Sequence, residues 1–97
     1  SPGAGTLPGQ FALYPAYPNP FNPVTTIRFD VGDATADITS LRIYDITGRN
    51  VATLVNEQMD PGNYELQWNA SGHPSGVYFS ELISGSTRLT QKMVLLK

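Results

Sequence analysis

Hydrophobic and polar residues alternate along most of this chain, a pattern that predicts β-strands. Ile27, Phe29 and Val31, for example, are separated by polar residues, as in a strand buried on one face. No ten-residue stretch has helical periodicity. We therefore predict an all-β fold, a small antiparallel immunoglobulin-like β-sandwich of about seven strands. The predicted strands cover residues 25–31, 38–44, 51–55, 63–69, 77–83 and the chain end, with a short edge strand at 11–14.

Turn signals separate the predicted strands. Gly48, in the turn 45–49, and Gly62, directly after Pro61, are both expected at positive φ, which glycine adopts without a Cβ clash. In the strand that follows Gly62, Trp68 is in phase with Tyr64 and Leu66. We therefore expect Trp68 to lie in the core.

The last segment, residues 76–97, has the pattern of a hairpin that runs to the end of the sequence. Its first arm is 77–83, and its turn is 84–86, where Gly85 can take a positive φ without a Cβ clash. In the return arm, Met93 and Leu95 share one face, which should pack on the core. The opposite face carries Lys92, Val94 and Leu96, while Lys97 is in phase with Met93. Such a strand is either a final core strand flanked by solubilising lysines or a surface kept for a partner.

Residues 14–23 contain four prolines, so this proline segment must be extended or turning and cannot be helical. Tyr17 and Phe21 are its expected inward anchors. We interpret it as a rigid loop that covers an open sheet edge.

With 97 residues, the chain is expected to hold one domain, a linker at 1–10 followed by the folded part at 11–97. A net charge of −2 provides no basic field for nucleic acid and no polybasic membrane signal. No apolar run approaches the ~20 residues that span a bilayer. No amino-terminal signal peptide is evident, so for an exported protein we expect the export peptide upstream.

The side chains that catalysis requires are scarce. The chain has no cysteine, which excludes disulfides and thiolate chemistry, and its one histidine, His73, is expected to be an exposed loop residue. Asp30, Asp33 and Asp37 lack the spacing of a calcium loop and are expected to be solvated. No serine elbow or glycine-rich phosphate loop is present. We therefore predict no catalytic residue, no metal site, no cofactor and no enzymatic activity.

Segments with the sequences YPNPFNP, YDITGRNVATL, GVYF and KMVLLK occur in this order, at residues 17–23, 44–54, 76–79 and 92–97. Together they resemble the carboxy-terminal sorting domain, type A, of the type IX (Por) secretion system. The resemblance extends from about residue 13 to residue 97. It implies a seven-stranded sandwich at the end of an exported multidomain protein of Bacteroidetes.

The resemblance also implies partners and a site. Such domains pass through the periplasm, are recognised by outer-membrane components of the type IX system, and direct a covalently linked upstream cargo domain to the cell surface or the medium. A sortase-like surface peptidase commonly removes them. The residues implied in recognition by the translocation machinery are Gly76, Val77, Tyr78, Lys92, Met93, Val94, Leu95, Leu96 and Lys97. Four residues separate the two lysines here, often more than in the family.

Two other functions fit a small sandwich. A carbohydrate-binding module would stack aromatic rings on sugars, with Trp68 and the five tyrosines as candidates. A structural spacer of a secreted enzyme would need no binding site.

Overall fold

The computed structural model describes residues 10–32 and 38–97. The predicted linker, apart from Gln10, lies outside the described residues, as do Asp33 and Asp37. The described residues form seven β-strands in two antiparallel sheets and no helix, which confirms the predicted small β-sandwich. The strands are β1 (Ala12–Leu13), β2 (Val24–Val31), β3 (Thr39–Asp45), β4 (Asn50–Glu57), β5 (Gly62–Asn69), β6 (Gly76–Ser84) and β7 (Thr87–Leu95). The orders are β1-β2-β5 and β4-β3-β6-β7.

The core lies between the two sheets and is built from the inward row of each strand. Ile27 and Phe29 of β2 and Leu41 and Ile43 of β3 are fully buried, because successive side chains of a strand point to opposite faces. Trp68 of β5 is also buried, as its phase predicted. This burial removes Trp68 from the candidates for stacking on a sugar.

One of the two predictions of a positive φ is confirmed, because Gly48 has a φ of 86°. Gly85, in the predicted hairpin turn, has a φ of 58°. The prediction for Gly62 is wrong, because this residue does not have a positive φ. Gly62 is already the first residue of β5, paired with Val31, so the chain has turned before reaching it.

The proline segment turns, with bends at residues 18–20 and 22–23, and only one of its two predicted anchors points inward. The peptide bonds before Pro18, Pro20 and Pro23 are cis. Phe21 is buried, whereas Tyr17 is 77% exposed, so the expectation for Tyr17 is wrong. The backbone of Tyr17 exchanges two hydrogen bonds of 3.0 Å with Thr26 of β2, which turns its ring to solvent.

Asp30 is not the solvated loop carboxylate that we expected. It lies within β2 and is only 6% exposed. The Tyr14 hydroxyl donates a hydrogen bond to one carboxylate oxygen, and the Asn63 side chain donates one of 2.7 Å to the other. The hydrogen bond to Asp30 raises the pKa of Tyr14. Because a buried carboxylate requires hydrogen-bond donors, these two side chains account for its position.

Candidate functional site

The predicted terminal hairpin is present. Strand β7 pairs with β6 from Gly76↔Leu95 to Ser84↔Thr87 without a break. Met93 and Leu95 are fully buried, as their shared phase predicted. On the opposite face, Lys92 and Leu96 are exposed and Val94 is half-buried between them. β7 thus has one face in the core and one that faces outward.

The free edge of β7 is covered by the proline segment. The Phe21 N–H donates to the Val94 carbonyl, and the Leu96 N–H donates to the Phe21 carbonyl, both at 3.0 Å. Phe21 thereby forms an isolated parallel bridge with Leu95. The prediction that this segment covers an open sheet edge is confirmed. This cover explains why β7, an apolar edge strand, does not expose a row of unpaired backbone groups at residues 94–96.

Asn19 extends this cover with its side chain. Its Oδ1 accepts a hydrogen bond of 2.9 Å from the Val94 N–H, and its Nδ2 donates one of 3.2 Å to the Lys92 carbonyl. A side-chain amide has a donor and an acceptor in one plane, so it can replace one residue of a neighbouring strand. We call β7 together with Leu96 the terminal strand. Its residues 92–96 are therefore held on both edges, by β6 and by the proline segment.

The two terminal lysines have different environments. The Lys97 N–H donates to Ser75 Oγ at 2.9 Å, and its ammonium donates to the Ser71 carbonyl at 3.1 Å. The ammonium of Lys92 makes no hydrogen bond or ion pair with any residue that the structure describes. Lys97 thus fastens the chain to the loop before β6, whereas the charge of Lys92 is directed to solvent.

Gly76, Val77 and Tyr78 lie directly opposite the terminal strand, so the structure brings together residues that the resemblance implied in recognition. They pair with Leu95, Val94 and Met93, respectively. The Tyr78 side chain is buried, and its hydroxyl donates a 2.6 Å hydrogen bond to the Pro74 carbonyl. Burial raises the pKa of Tyr78, and the negative charge of Asp45 adds to the effect. Tyr78 is therefore a packing residue.

Tyr78 belongs to an aromatic cluster beneath the site. Its ring meets Trp68 edge-on with centroids 5.3 Å apart, and the Phe21 ring is tilted against Trp68 with centroids 5.7 Å apart. His73 is half-buried, so the expectation that it is an exposed loop residue is wrong. The centroid of its ring lies 5.7 Å from that of Trp68 and 6.2 Å from that of Tyr78. The cluster joins the proline segment, β5 and β6 under the terminal strand.

Asp45 organises the turn beside the site and was missed by the sequence reasoning. Its Oδ1 accepts hydrogen bonds from the Thr47 N–H at 2.9 Å, the Thr47 hydroxyl at 2.5 Å and the Arg49 N–H at 3.1 Å. The Thr47 hydroxyl is the main reason that the pKa of Asp45 is lowered, with Arg49 contributing. An aspartate at the start of a turn, two residues before a threonine, is the signal that could have identified it.

A cavity of about 160 Å³ lies between this turn and the loop before β6. It is lined by Asp45, Ile46, Arg49, Val51 and residues 73–78. Ile46 is 67% exposed on its rim. The cavity adds an apolar contact surface next to Gly76 and Val77.

The chemistry of the site fits binding. Within residues 10–32 and 38–97, no three His, Cys, Asp or Glu side chains are grouped so as to hold a metal ion. In that same part of the chain, no helix is long and apolar enough to cross a membrane. A partner could contact the exposed Lys92 through its charge and Val94 and Leu96 through their apolar side chains.

The family model described as "Secretion system C-terminal sorting domain" matches residues 15–96, from the proline segment to the end of the terminal strand. A search of curated proteins found no match.

Proposed function

Because the chain belongs to the family of C-terminal sorting domains of type IX secretion, we propose that its terminal strand presents the surface that the secretion machinery recognises. The family membership indicates a sorting signal for export to the cell surface or the extracellular space, and an interaction with that machinery. The family is generally non-catalytic. The proposal concerns the residues that carry the signal.

The outward row of the terminal strand is the candidate contact surface. Lys92, Val94 and Leu96 are displayed on a strand held by β6 on one edge and by the proline segment on the other. A surface held in this way loses little conformational entropy on binding. The unpartnered ammonium of Lys92, among the described residues, is the single observation that carries the proposal.

The other implied residues have supporting roles in this proposal. Met93, Leu95 and Tyr78 are buried and fix the strand against the core. Gly76 and Val77 pair with its last residues and border the cavity next to Ile46. Lys97, tied to the loop before β6, holds the chain end in place.

The partners we propose are outer-membrane components of the type IX system, met after passage through the periplasm. A sortase-like surface peptidase would then separate the domain from its covalently linked upstream cargo, or the cargo would be anchored at the surface. The linker that we expect at residues 1–10, directly before the folded part, is the region we propose for cleavage.

A reporter fusion tests the role of Lys92. The reporter carries an export peptide and this domain, in a bacterium with the type IX system. We expect Lys92→Ala to accumulate in the periplasm and Lys97→Ala to reduce export less. Arg88→Ala removes another exposed cation of β7, one that pairs with Glu81 at 3.4 Å, and should be exported normally.

Thermal melting of the purified domains separates folding from recognition. Substitution of an exposed lysine or arginine changes stability little, so all three variants should melt close to the parent. Export of Lys92→Ala at the parental rate would show that this charge is not part of the signal. Deletion of residues 93–97 is a less informative test, because it also removes Met93 and Leu95 from the core.

A further inference from the structure

Strand β6 carries apolar side chains on both of its faces. Tyr78 and Leu82 are buried in the core, and Val77, Phe79 and Ile83 lie on the opposite, outer face of the sheet. These three side chains are half-buried. An antiparallel strand with one solvated face usually has polar residues on that face, whereas apolar residues on both faces are typical of a strand that is covered on both.

The neighbouring strands extend this apolar area. Tyr44 of β3 is directly opposite Phe79, and Val94 of β7 is directly opposite Val77. Both Tyr44 and Val94 are half-buried as well. We call these five residues, Tyr44, Val77, Phe79, Ile83 and Val94, the outer apolar patch.

The outer face of the other sheet has no such patch among the described residues. There the outward rows of β2 and β5 are polar or charged: Thr26, Arg28 and Asp30 on β2, and Asn63, Glu65, Gln67 and Asn69 on β5. The apolar patch is therefore a feature of the β4-β3-β6-β7 sheet, the sheet that contains the terminal strand.

Positive charge surrounds the patch. The same face holds three of the chain's six cations, Arg42, Arg88 and Lys92, and one acidic residue among those described, Glu81. Glu81 pairs with Arg88 at 3.4 Å and is also directly opposite Arg42. The Nε of Arg42 is buried and has no hydrogen-bond partner within the described residues. This face is thus positively charged, although the whole chain has a net charge of −2.

The form of the patch favours a protein partner over a lipid surface. Binding to a membrane surface requires apolar side chains that reach past the headgroups. All five patch residues are instead half-buried between their neighbours on the sheet. An apolar centre that contains aromatic rings, with charged residues around it, has the composition of a protein interface. Cations at the border of such a surface are complemented by carboxylates on the partner.

We propose that the outer apolar patch docks a partner protein whose contact surface has apolar residues flanked by aspartate or glutamate. The carboxylates of the partner lie beside Lys92 and Arg42, and its apolar residues cover Phe79. This inference rests on the proposed recognition of the terminal strand, and it extends that contact surface from β7 across β6 to β3.

Two arginines form a matched pair for the test in the reporter fusion. Arg42 and Arg28 are each directly opposite a glutamate on the neighbouring strand, but they lie on different sheets. Arg42→Gln and Arg28→Gln remove the same charge. We expect Arg42→Gln to reduce export and Arg28→Gln to be exported at the parental rate, with thermal melting to confirm that both variants fold.

The export results separate this inference from the proposed function. Parental export of Arg42→Gln together with retention of Lys92→Ala in the periplasm would overturn the docking patch and leave the role of Lys92 intact. The reverse pattern would contradict the role of Lys92 and keep the contact at the patch.

A peptide tests the chemistry of the partner directly. The probe is a capped peptide of sequence EELFVLEE, added to the ¹⁵N-labelled 97-residue chain. Binding should shift the amide resonances of Phe79 and Lys92 and leave those of β5 unchanged. The peptides KKLFVLKK and EESGSSEE, which lack the acidic and the apolar residues, respectively, should bind more weakly.

The same arginine variants serve as controls for the peptide. Arg42→Gln should weaken binding about threefold, within the range of an exposed ion pair, and Arg28→Gln should leave it unchanged. Equal loss in the two variants would mean attraction to net charge alone and would contradict the proposal. So would an absence of shifts with millimolar peptide, or binding to vesicles of phosphatidylethanolamine and phosphatidylglycerol in place of the peptide.

Discussion

The side chain of Asn19 accepts a hydrogen bond from the Val94 backbone N–H at 2.9 Å, across 75 positions of the chain. The same side chain donates to the Lys92 carbonyl. A residue at the start of the fold thus substitutes for a neighbouring strand at its end. Residues 92–96 are therefore held by the proline segment as well as by β6.

Replacement of Asn19 tests this dependence. Asn19→Ala removes both hydrogen bonds and should lower the free energy of unfolding by about 1 kcal/mol, with faster hydrogen exchange at Val94. Asn22→Ala is the matched control, because the exposed Asn22 side chain has no hydrogen bond to a described residue. Unchanged exchange at Val94 in Asn19→Ala would show that the backbone bridge through Phe21 is sufficient.

Trp68 connects the two sheets through its contacts with Phe21 and Tyr78. Trp68→Ala should cost about 3–5 kcal/mol, the range for truncation of a large buried aromatic side chain. Because small domains are marginally stable, this variant could unfold at ambient temperature. Urea denaturation followed by circular dichroism measures the change. A loss below 1 kcal/mol would contradict the role of Trp68 in the core.

Two glycines with different backbone angles form a matched pair. Gly48→Ala forces a side chain to adopt a φ of 86° and should destabilise the domain by about 1 kcal/mol or more. Gly62→Ala should be close to neutral, because an added Cβ would meet the Tyr64 ring at 3.6 Å, an ordinary contact. Urea midpoints for the two variants decide. A larger loss at Gly62 would contradict the backbone described above.

Asp45 makes stability depend on pH. Its pKa is lowered in the folded state, so its ionised form stabilises the fold above the unfolded-state pKa of about 3.9. That contribution is lost as the pH falls through the lowered value. The difference in unfolding free energy between the parent and Asp45→Asn should therefore shrink from pH 7 to pH 3. A difference that grows on acidification would reverse the assigned sign.

The Thr47 hydroxyl should control this behaviour. Thr47→Val removes the donor that contributes most to the lowered pKa of Asp45. An NMR titration of the Asp45 carboxyl should therefore show a higher pKa in the variant than in the parent. An unchanged value would assign the effect to Arg49 and the backbone.

Features set by residues that are close together in the sequence were predictable. The inward rows of β2, β3 and β7, the core position of Trp68 and the turn at Gly48 follow from alternation and local turn chemistry. The hairpin of β6 and β7 was predictable because both arms flank a glycine turn. Tyr17 was mispredicted because the proline segment has no alternation that marks an inward side.

Features that depend on distant partners were not predictable. Asp30 occupies a position that usually faces solvent, and its burial is offset by hydrogen bonds from Tyr14, directly after β1, and from Asn63 of β5. The hydrogen bonds of Asn19 depend in the same way on a strand that follows much later. A single sequence contains no local signal for such pairs, since their geometry exists only after both sheets have formed.

The bridge between the proline segment and β7 has a consequence for the order of events during synthesis. A polypeptide emerges from the ribosome amino end first, so Asn19 and Phe21 are available long before Val94. Their final partners belong to the terminal strand, which is made only after β2 to β6. Contacts of such long sequence separation form slowly, because a large loop must close first. The sandwich therefore closes late, and a chain truncated before β7 would leave that side open.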